Sequence, residues 1–475
     1  MRPLYSSLHD PGGQVLRFDK RIIRLVNREG ERNLRAVLNS NVLRRLQSEK
    51  RFTSFTPIAP HEIAEGLPSS HDEWMSEDIV SVLEHEALPF PSYPYEWTPE
   101  MLFAAAELTL DVADSLLDED LGLKDATPYN ILFRGVQPVF IDLLSVEARE
   151  PGDPLWLAYA QFVRMFLLPL FASRKLRYDL KTIFSTRPDG LEPEEIYRWC
   201  KIHNLLNLPG LSLVALPMWL NPSAGKKPAL YKPRRMPPQQ AKFVFQHMLR
   251  GLRRHLNRVK PRERKSAWSD YATERVGYAE EQIRAKQDFV AATLREVKPG
   301  RVLDVGCNTG EFSLLSAKEG AEVVAVDKDE ACVGLLFQTA SKDNLNILPL
   351  VVDFANPSPP TGWMNRQYIS FTDRADQCFD LVLCLAVIHH LLVSNRIPLP
   401  EIVDALALAT KDFVIAEYVD RQDPQFQLIA RGRDALFTYY DEAYFEATFR
   451  RRFRLLKRIS LPESRRALYF WSRQP

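Results

Sequence analysis

The chain of 475 residues has five cysteines, no long apolar run and almost no lysine in its first hundred positions. Cys200, Cys307, Cys332, Cys378 and Cys384 form no C-x-x-C pair and are odd in number, which argues against a disulfide framework or a thiolate metal site and for reduced thiols in the cytoplasm. No metal site is expected. The longest apolar segments, 162–172 and 208–220, contain prolines and fall short of the roughly 18 residues that span a bilayer. The opening MRPLYSSLHDPGGQ has no apolar stretch behind a basic end, so neither a signal nor a transit peptide is expected. Lys20 and Lys50 are the only lysines before residue 100, and Gly12-Gly13 is the one double glycine there, without a G-x-G-x-x-G pattern. The first hundred residues are therefore poorly equipped to cradle phosphates.

What is present is an ordinary globular composition, 45% hydrophobic and 26% charged, at a length that suggests several domains. The net charge of +1 conceals an asymmetry. From Lys226 to Lys265 there are fourteen lysines and arginines against one acid, Glu263. Prolines at 228, 233, 237 and 238 predict a linker, followed by a basic helix over 239–260. Such a field attracts anionic groups, including an acidic membrane surface, or pairs with the acidic remainder of the chain. No RNA-binding module accompanies it, so no specific nucleic-acid partner is expected.

The most informative stretch is VLDVGCNTGEFS, residues 302–313, followed by VVAVD at 323–327. It reads as a strand, a glycine turn, a helix and a second strand ending in a carboxylate, a layout suited to a nucleoside ligand whose ribose hydroxyls bond to Asp327. A dinucleotide fingerprint carries a third glycine three residues after the second, whereas Ser313 stands there. Asp304, two residues before Gly306, suits a ligand bearing an ammonium group better than one bearing two phosphates. Strands are predicted within 348–354 and 379–391, and in an open parallel sheet their carboxyl ends bring Asp353, Phe354 and the segment 386–390 to the ligand.

With these motifs the region from about 285 to 475 resembles a class I S-adenosylmethionine-dependent methyltransferase. The resemblance implies a Rossmann-like α/β sheet in which Gly306, Asn308 and Gly310 line the methionine portion, Asp327 holds the ribose, and Asp353 with Phe354 borders the adenine. Ala386 lies beside them. Methyl transfer from a sulfonium is an in-line displacement, so positioning dominates. His389 and His390, after the fourth strand, are the candidates to accept a proton from the acceptor, with helix capping as their alternative role. The long insertion 355–377 suggests that Trp363, Arg366 and Arg374 face a substrate, and Glu417, at the end of the fifth strand, is a further candidate. The insertion and the IHHL sequence are similar to a bacterial group of nodulation-associated methyltransferase-like proteins, a likeness that implies a polar acceptor.

A second stretch, LKDATPYNILFRGVQPVFIDLLSVE at 123–147, has Asp125 and Asn130 in D-x-x-x-x-N spacing and Asp142 after a predicted hairpin turning at Arg134-Gly135. It resembles the catalytic loop of aminoglycoside-phosphotransferase-like kinases, which implies an α-rich, kinase-like α+β domain. Leu123 and Lys124 depart from that family's loop, so the domain reads as degenerate, with magnesium ATP open as a second ligand. Around it, helices are predicted over 101–117 and 156–171, and an extended proline-rich segment over 88–99.

These readings give a kinase-like domain over 1–222, a basic helical connector over 223–284 and a methyltransferase domain over 285–475. The expected activity is cytoplasmic methylation of a hydroxyl or amine on a small molecule or glycan, anionic acceptors included. A bifunctional kinase-methyltransferase and a non-enzymatic cofactor-binding scaffold stand as alternatives.

Overall fold

A computed structural model describes residues 10–18, 21–59, 78–205, 208–220, 235–262 and 280–474. Lys20, most of the linker in the basic run and most of the region between 263 and 284 lie outside the described residues. The chain forms two compact units, one of residues 1–262 with 360–368, the other of residues 263–359 with 369–475.

In the first unit β1 (Gly13–Phe18), β2 (Arg21–Asn27), β3 (Phe55–Pro57) and β4 (Ile79–His85) form an antiparallel sheet in the order β1-β2-β4-β3. Leu16, Ile23, Leu25 and Val82 pack together on it. The predicted helix over 101–117 is α1 (Pro99–Leu116), started by Pro99 and by Thr98, whose hydroxyl accepts the Met101 amide. Two short pairs follow: β5 (Leu121–Leu123) with β8 (Val146–Ala148), and the hairpin of β6 (Ile131–Arg134) with β7 (Gln137–Phe140). The hairpin turns at Gly135, whose φ of 56° a side chain would resist.

The basic helix is α2 (Pro238–Arg258). It buries Ala241, Phe245, Leu249, Leu252 and Leu256, while Lys242 meets Asp118 at 3.1 Å and Arg253 meets Asp111 of α1 at 2.6 Å. Its apolar stripe and these pairs place it inside the first unit, where the sequence suggested a separate connector. Residues 360–368 also belong to this unit, and the Tyr368 ring stacks on Tyr129 with centroids 4.8 Å apart.

The second unit is a seven-stranded sheet. Its strands are β9 (Arg301–Val305), β10 (Glu322–Asp327), β11 (Ile347–Val351), β12 (Phe379–Cys384), β13 (Thr410–Val419), β14 (Phe453–Ser460) and β15 (Arg466–Arg473), in the order β11-β10-β9-β12-β13-β15-β14. The first five run parallel, and β15 returns antiparallel between β13 and β14. The parallel strands are apolar on consecutive residues, as burial on both faces requires. The helices α3 (Glu280–Val297), α4 (Glu311–Lys318) and α5 (Glu330–Lys342) lie around the glycine motif. Strand order reverses between β9 and β12, and a crevice opens at the carboxyl ends of strands at such a reversal.

Candidate active site

The glycine turn after β9 is built by local constraint. Gly306 and Gly310 take φ of 69° and 88°, and Asn308 between them takes 51°. A Cβ on Gly306 would come within 2.3 Å of Val387, and one on Gly310 within 2.2 Å of Leu336. The amides of Gly306 and Cys307 both donate to the Val326 carbonyl at 2.8 and 3.1 Å, which ties the turn to β10. Asp327, at the end of β10, accepts the Asn308 amide and the Asp329 amide, each at 2.9 Å. One carboxylate thus shapes the glycine turn and faces the crevice.

The crevice holds a cavity of about 570 Å³. Asp304, Gly306, Asn308, Asp327, Asp353, Phe354, Ala386, His389 and His390, drawn from the ends of four strands, all line it. Gly310 does not; its role is to start α4 in a left-handed conformation against Leu336. Asp353 accepts the Ala355 amide at 3.0 Å, so it braces its own turn while bordering the cavity. Asp304 is buried and accepts the Ser313 hydroxyl at 2.6 Å. Burial pushes its carboxyl up to about 6, and the nearby Asp327 adds to that. Burial likewise raises Asp327 above the usual carboxylate range.

His389 and His390 sit on α7 (Ile388–Val393), with ring centroids 4.3 Å apart. His389 is 3% exposed, and its Nδ1 makes no hydrogen bond. Burial, then the neighbouring imidazole and the charges of Arg466 and Lys286, hold His389 well below the usual histidine range. Burial with Lys328 and Arg466 brings His390 down to about 4. Both rings are therefore neutral near pH 7.

The remaining candidates lie elsewhere. Trp363 is 67% exposed and, with Arg366, belongs to the segment grouped with the first unit, so neither lines the cavity. Arg374, on α6 (Phe371–Ala375), is buried against Phe371 and donates to the Ser370 carbonyl at 3.2 Å. Glu417 does not line the cavity; it lies behind the wall, where it accepts Lys286 Nζ at 2.7 Å. Sequence reading missed its partners. Lys286 on α3, Arg466 at the start of β15 and Gln425 on α8 (Pro424–Ala430) line the cavity. Arg466 grips Asp423 through Nε and Nη2 at 2.7 and 2.9 Å, with Glu417 3.7 Å from Nη1. The only sequence signals were an Asp-Pro helix start at 423–424 and a basic residue opening the last strand.

In the first unit, Asp125, Asn130 and Asp142 come into one corner. Asn130 donates to the Ser145 hydroxyl at 2.9 Å, and that hydroxyl donates to Asp142. Arg24 of β2 donates to Asp142 at 2.8 Å and to Asp10 at 3.3 Å. Burial works against ionising Asp142, but Arg24, the Ser145 hydroxyl and Lys124 outweigh it and hold its carboxyl below the usual range. Asp125 is raised by burial.

A glycine turn, a strand-end carboxylate and a crevice at the sheet's reversal point form a nucleoside site, and with Ser313 in place of a third glycine they fit an S-adenosylmethionine-dependent methyltransferase. The "Methyltransferase domain" family matches residues 278–455. The chain belongs to the methyltransferase family that includes the nodulation protein NoeA of Rhizobium meliloti (strain 1021), to which it is 30% identical over 98% of its length and 95% of NoeA's. Among solved structures it is similar to the N-methyltransferase NodS from Bradyrhizobium japonicum WM9, at 12% identity, 41% coverage of this chain, 98% of NodS and a TM-score of 0.31. It is also similar to the magnesium protoporphyrin IX methyltransferase ChlM from Synechocystis PCC 6803 with bound SAH, at 20% identity, 41% and 84% coverage and a TM-score of 0.30. The cofactor is S-adenosylmethionine. Among the described residues, no helix is long and apolar enough to cross a membrane.

Proposed function

We propose that the protein methylates a hydroxyl or amine of a small polar molecule or glycan in the cytoplasm, and that His389 or His390 receives the acceptor's proton. The observation that carries this reading is the buried Nδ1 of His389, on the cavity wall and without a hydrogen-bond partner. A neutral imidazole there can accept from an O–H or N–H. The acceptor's lone pair forms a bond to the methyl carbon as the carbon–sulfur bond breaks, its electron pair stays on sulfur, and the acceptor's proton passes to the imidazole. Burial, with His390, Arg466 and Lys286 around it, holds the His389 ring in the neutral form that can accept a proton. Asp327 is assigned to the ribose hydroxyls and Asp304 to the cofactor's ammonium group. Asp353 and Phe354 are assigned to the adenine.

Titration calorimetry with S-adenosylmethionine tests the cofactor assignments. Asp327→Ala is expected to weaken binding by about 100-fold, the loss of two hydrogen bonds to a charged group. Unchanged affinity would remove Asp327 from the ribose site. Transfer of labelled methyl to hydroxyl- and amine-terminated oligosaccharides tests the acceptor class. There, His389→Ala and His390→Ala are expected to lower kcat by about 100-fold at the working histidine while leaving cofactor affinity intact. Phosphoryl transfer by the first unit is the second reading, favoured by the Asn130–Ser145–Asp142 chain. Against it, the Arg24 guanidinium is already 2.8 Å from Asp142, where a magnesium ion would have to displace it. A thermal shift with magnesium ATP would restore that reading.

A further inference from the structure

Helix α2 divides its cations into two sets. Lys242 and Arg253, on the flanks of its buried stripe, are neutralised by Asp118 and Asp111, with Asp114 3.8 Å from Arg253. The opposite face carries Phe243, His247, Arg250, Arg254 and Arg258, spaced so that all five share one exposed stripe about 22 Å long. That stripe contains no acid. Among the described residues, the Nε of Arg250 and of Arg254 donate along the helix, to the carbonyls of Gln246 and Arg250 at 3.3 Å each. At the stripe's amino-terminal end Phe243 is 61% exposed, with the Arg250 guanidinium 5.9 Å from its ring centroid, and Val244 beside it is 42% exposed.

We infer that this face of α2 docks the protein on an anionic lipid bilayer. Charge alone suits any polyanion, but the combination of uncompensated arginines with an exposed phenylalanine and valine suits an interface that offers phosphates above hydrocarbon. The arginine stems can lie along the headgroups while the guanidinium groups meet phosphate oxygens. A nucleic-acid duplex would use the charges and leave Phe243 and Val244 in water. The inference is independent of which acceptor is methylated.

Co-sedimentation of the full chain with vesicles tests it. Vesicles of phosphatidylcholine with about one-third phosphatidylglycerol are expected to bind the protein, pure phosphatidylcholine is not, and about 0.5 M salt should release it. Arg250→Glu/Arg254→Glu/Arg258→Glu is expected to lower the partition coefficient by about 100-fold or more, and Phe243→Ser by about tenfold. Arg431→Glu/Arg433→Glu/Arg451→Glu, an equal charge change at exposed positions of the other unit, should leave binding intact. Far-ultraviolet circular dichroism and the melting profile of the full chain serve as the folding control for each variant. Equal binding to both vesicle types, or loss of binding in the second triple variant as large as in the first, would overturn the inference. Tighter binding to duplex DNA or RNA than to vesicles at equal phosphate concentration would replace it with a nucleic-acid surface.

Discussion

Asp304 shows what burial does to a single group. Its carboxyl is enclosed, takes one hydrogen bond from Ser313 and titrates at about 6, above its ordinary range. The folded chain therefore holds a proton that the unfolded chain releases between about pH 4 and pH 6, so stability is greatest below that window and falls as pH rises through it. Above it, ionised Asp304 costs the ligand-free protein on the order of 2–3 kcal/mol. Asp304→Asn is expected to raise the melting temperature at pH 7.5 and to change it little near pH 4, as followed by circular dichroism. The charge that costs stability is the one assigned to the cofactor's ammonium group. S-adenosylmethionine should therefore bind the wild type more tightly as pH rises from about 5 to about 7, and calorimetry on Asp304→Asn should show that dependence flattened. At this scale the sequence was informative. Asp304, Asp327, His389 and His390 each reach the cavity because each stands within the last two residues of a strand or follows one, and strand ends are marked by the apolar runs before them. Glu417 also stands near a strand's end and does not line the cavity, because β13 continues past it to Val419.

At the scale of elements, the glycine turn and the insertion behave differently for a physical reason. Gly306 and Gly310 both take the positive φ that a glycine turn demands, which is a local requirement, although only Gly306 lines the cavity. Gly310→Ala adds a methyl group that meets Leu336 at 2.2 Å on a residue held at φ 88°. It is expected to lower stability by about 2 kcal/mol in urea denaturation and to weaken cofactor binding, because α4 can no longer start where it does. The insertion 355–377 offers no such local demand. Its tryptophan and arginines look like a substrate cover in one dimension, yet Trp363 and Arg366 leave with the segment anchored by Tyr368 on Tyr129, and Arg374 turns inward. The length of a loop does not encode the surface on which it settles. The basic helix was legible as a helix from its apolar period, whereas its packing on α1 depended on acids at 111, 114 and 118 that no local pattern joins to it.

At the scale of the whole molecule, long-range charge pairs knit each unit. In the first, Arg24 and Asp142 lie 118 residues apart in sequence and 2.8 Å apart in space, and Asp10 completes the clasp. Arg24→Met leaves two carboxylates facing each other in a largely dry corner and is expected to cost about 3–5 kcal/mol, read as a lower midpoint in guanidinium chloride. Replacing Arg24 and Asp142 together by Met and Leu should recover part of that loss; additive losses would show that the clasp carries no coupling. In the second unit Lys286 and Glu417 meet from 131 residues apart, and Arg466 with Asp423 extends the same network to the cavity wall. The sequence by itself determined the alternation of strands and helices, the glycine turn, the carboxylate that closes it and hence the cofactor, because each depends on the torsions and neighbours of a few consecutive residues. Only the tertiary structure decided which charges stand around that cavity, since a buried lysine and arginine are tolerated there solely because distant acids arrive to neutralise them.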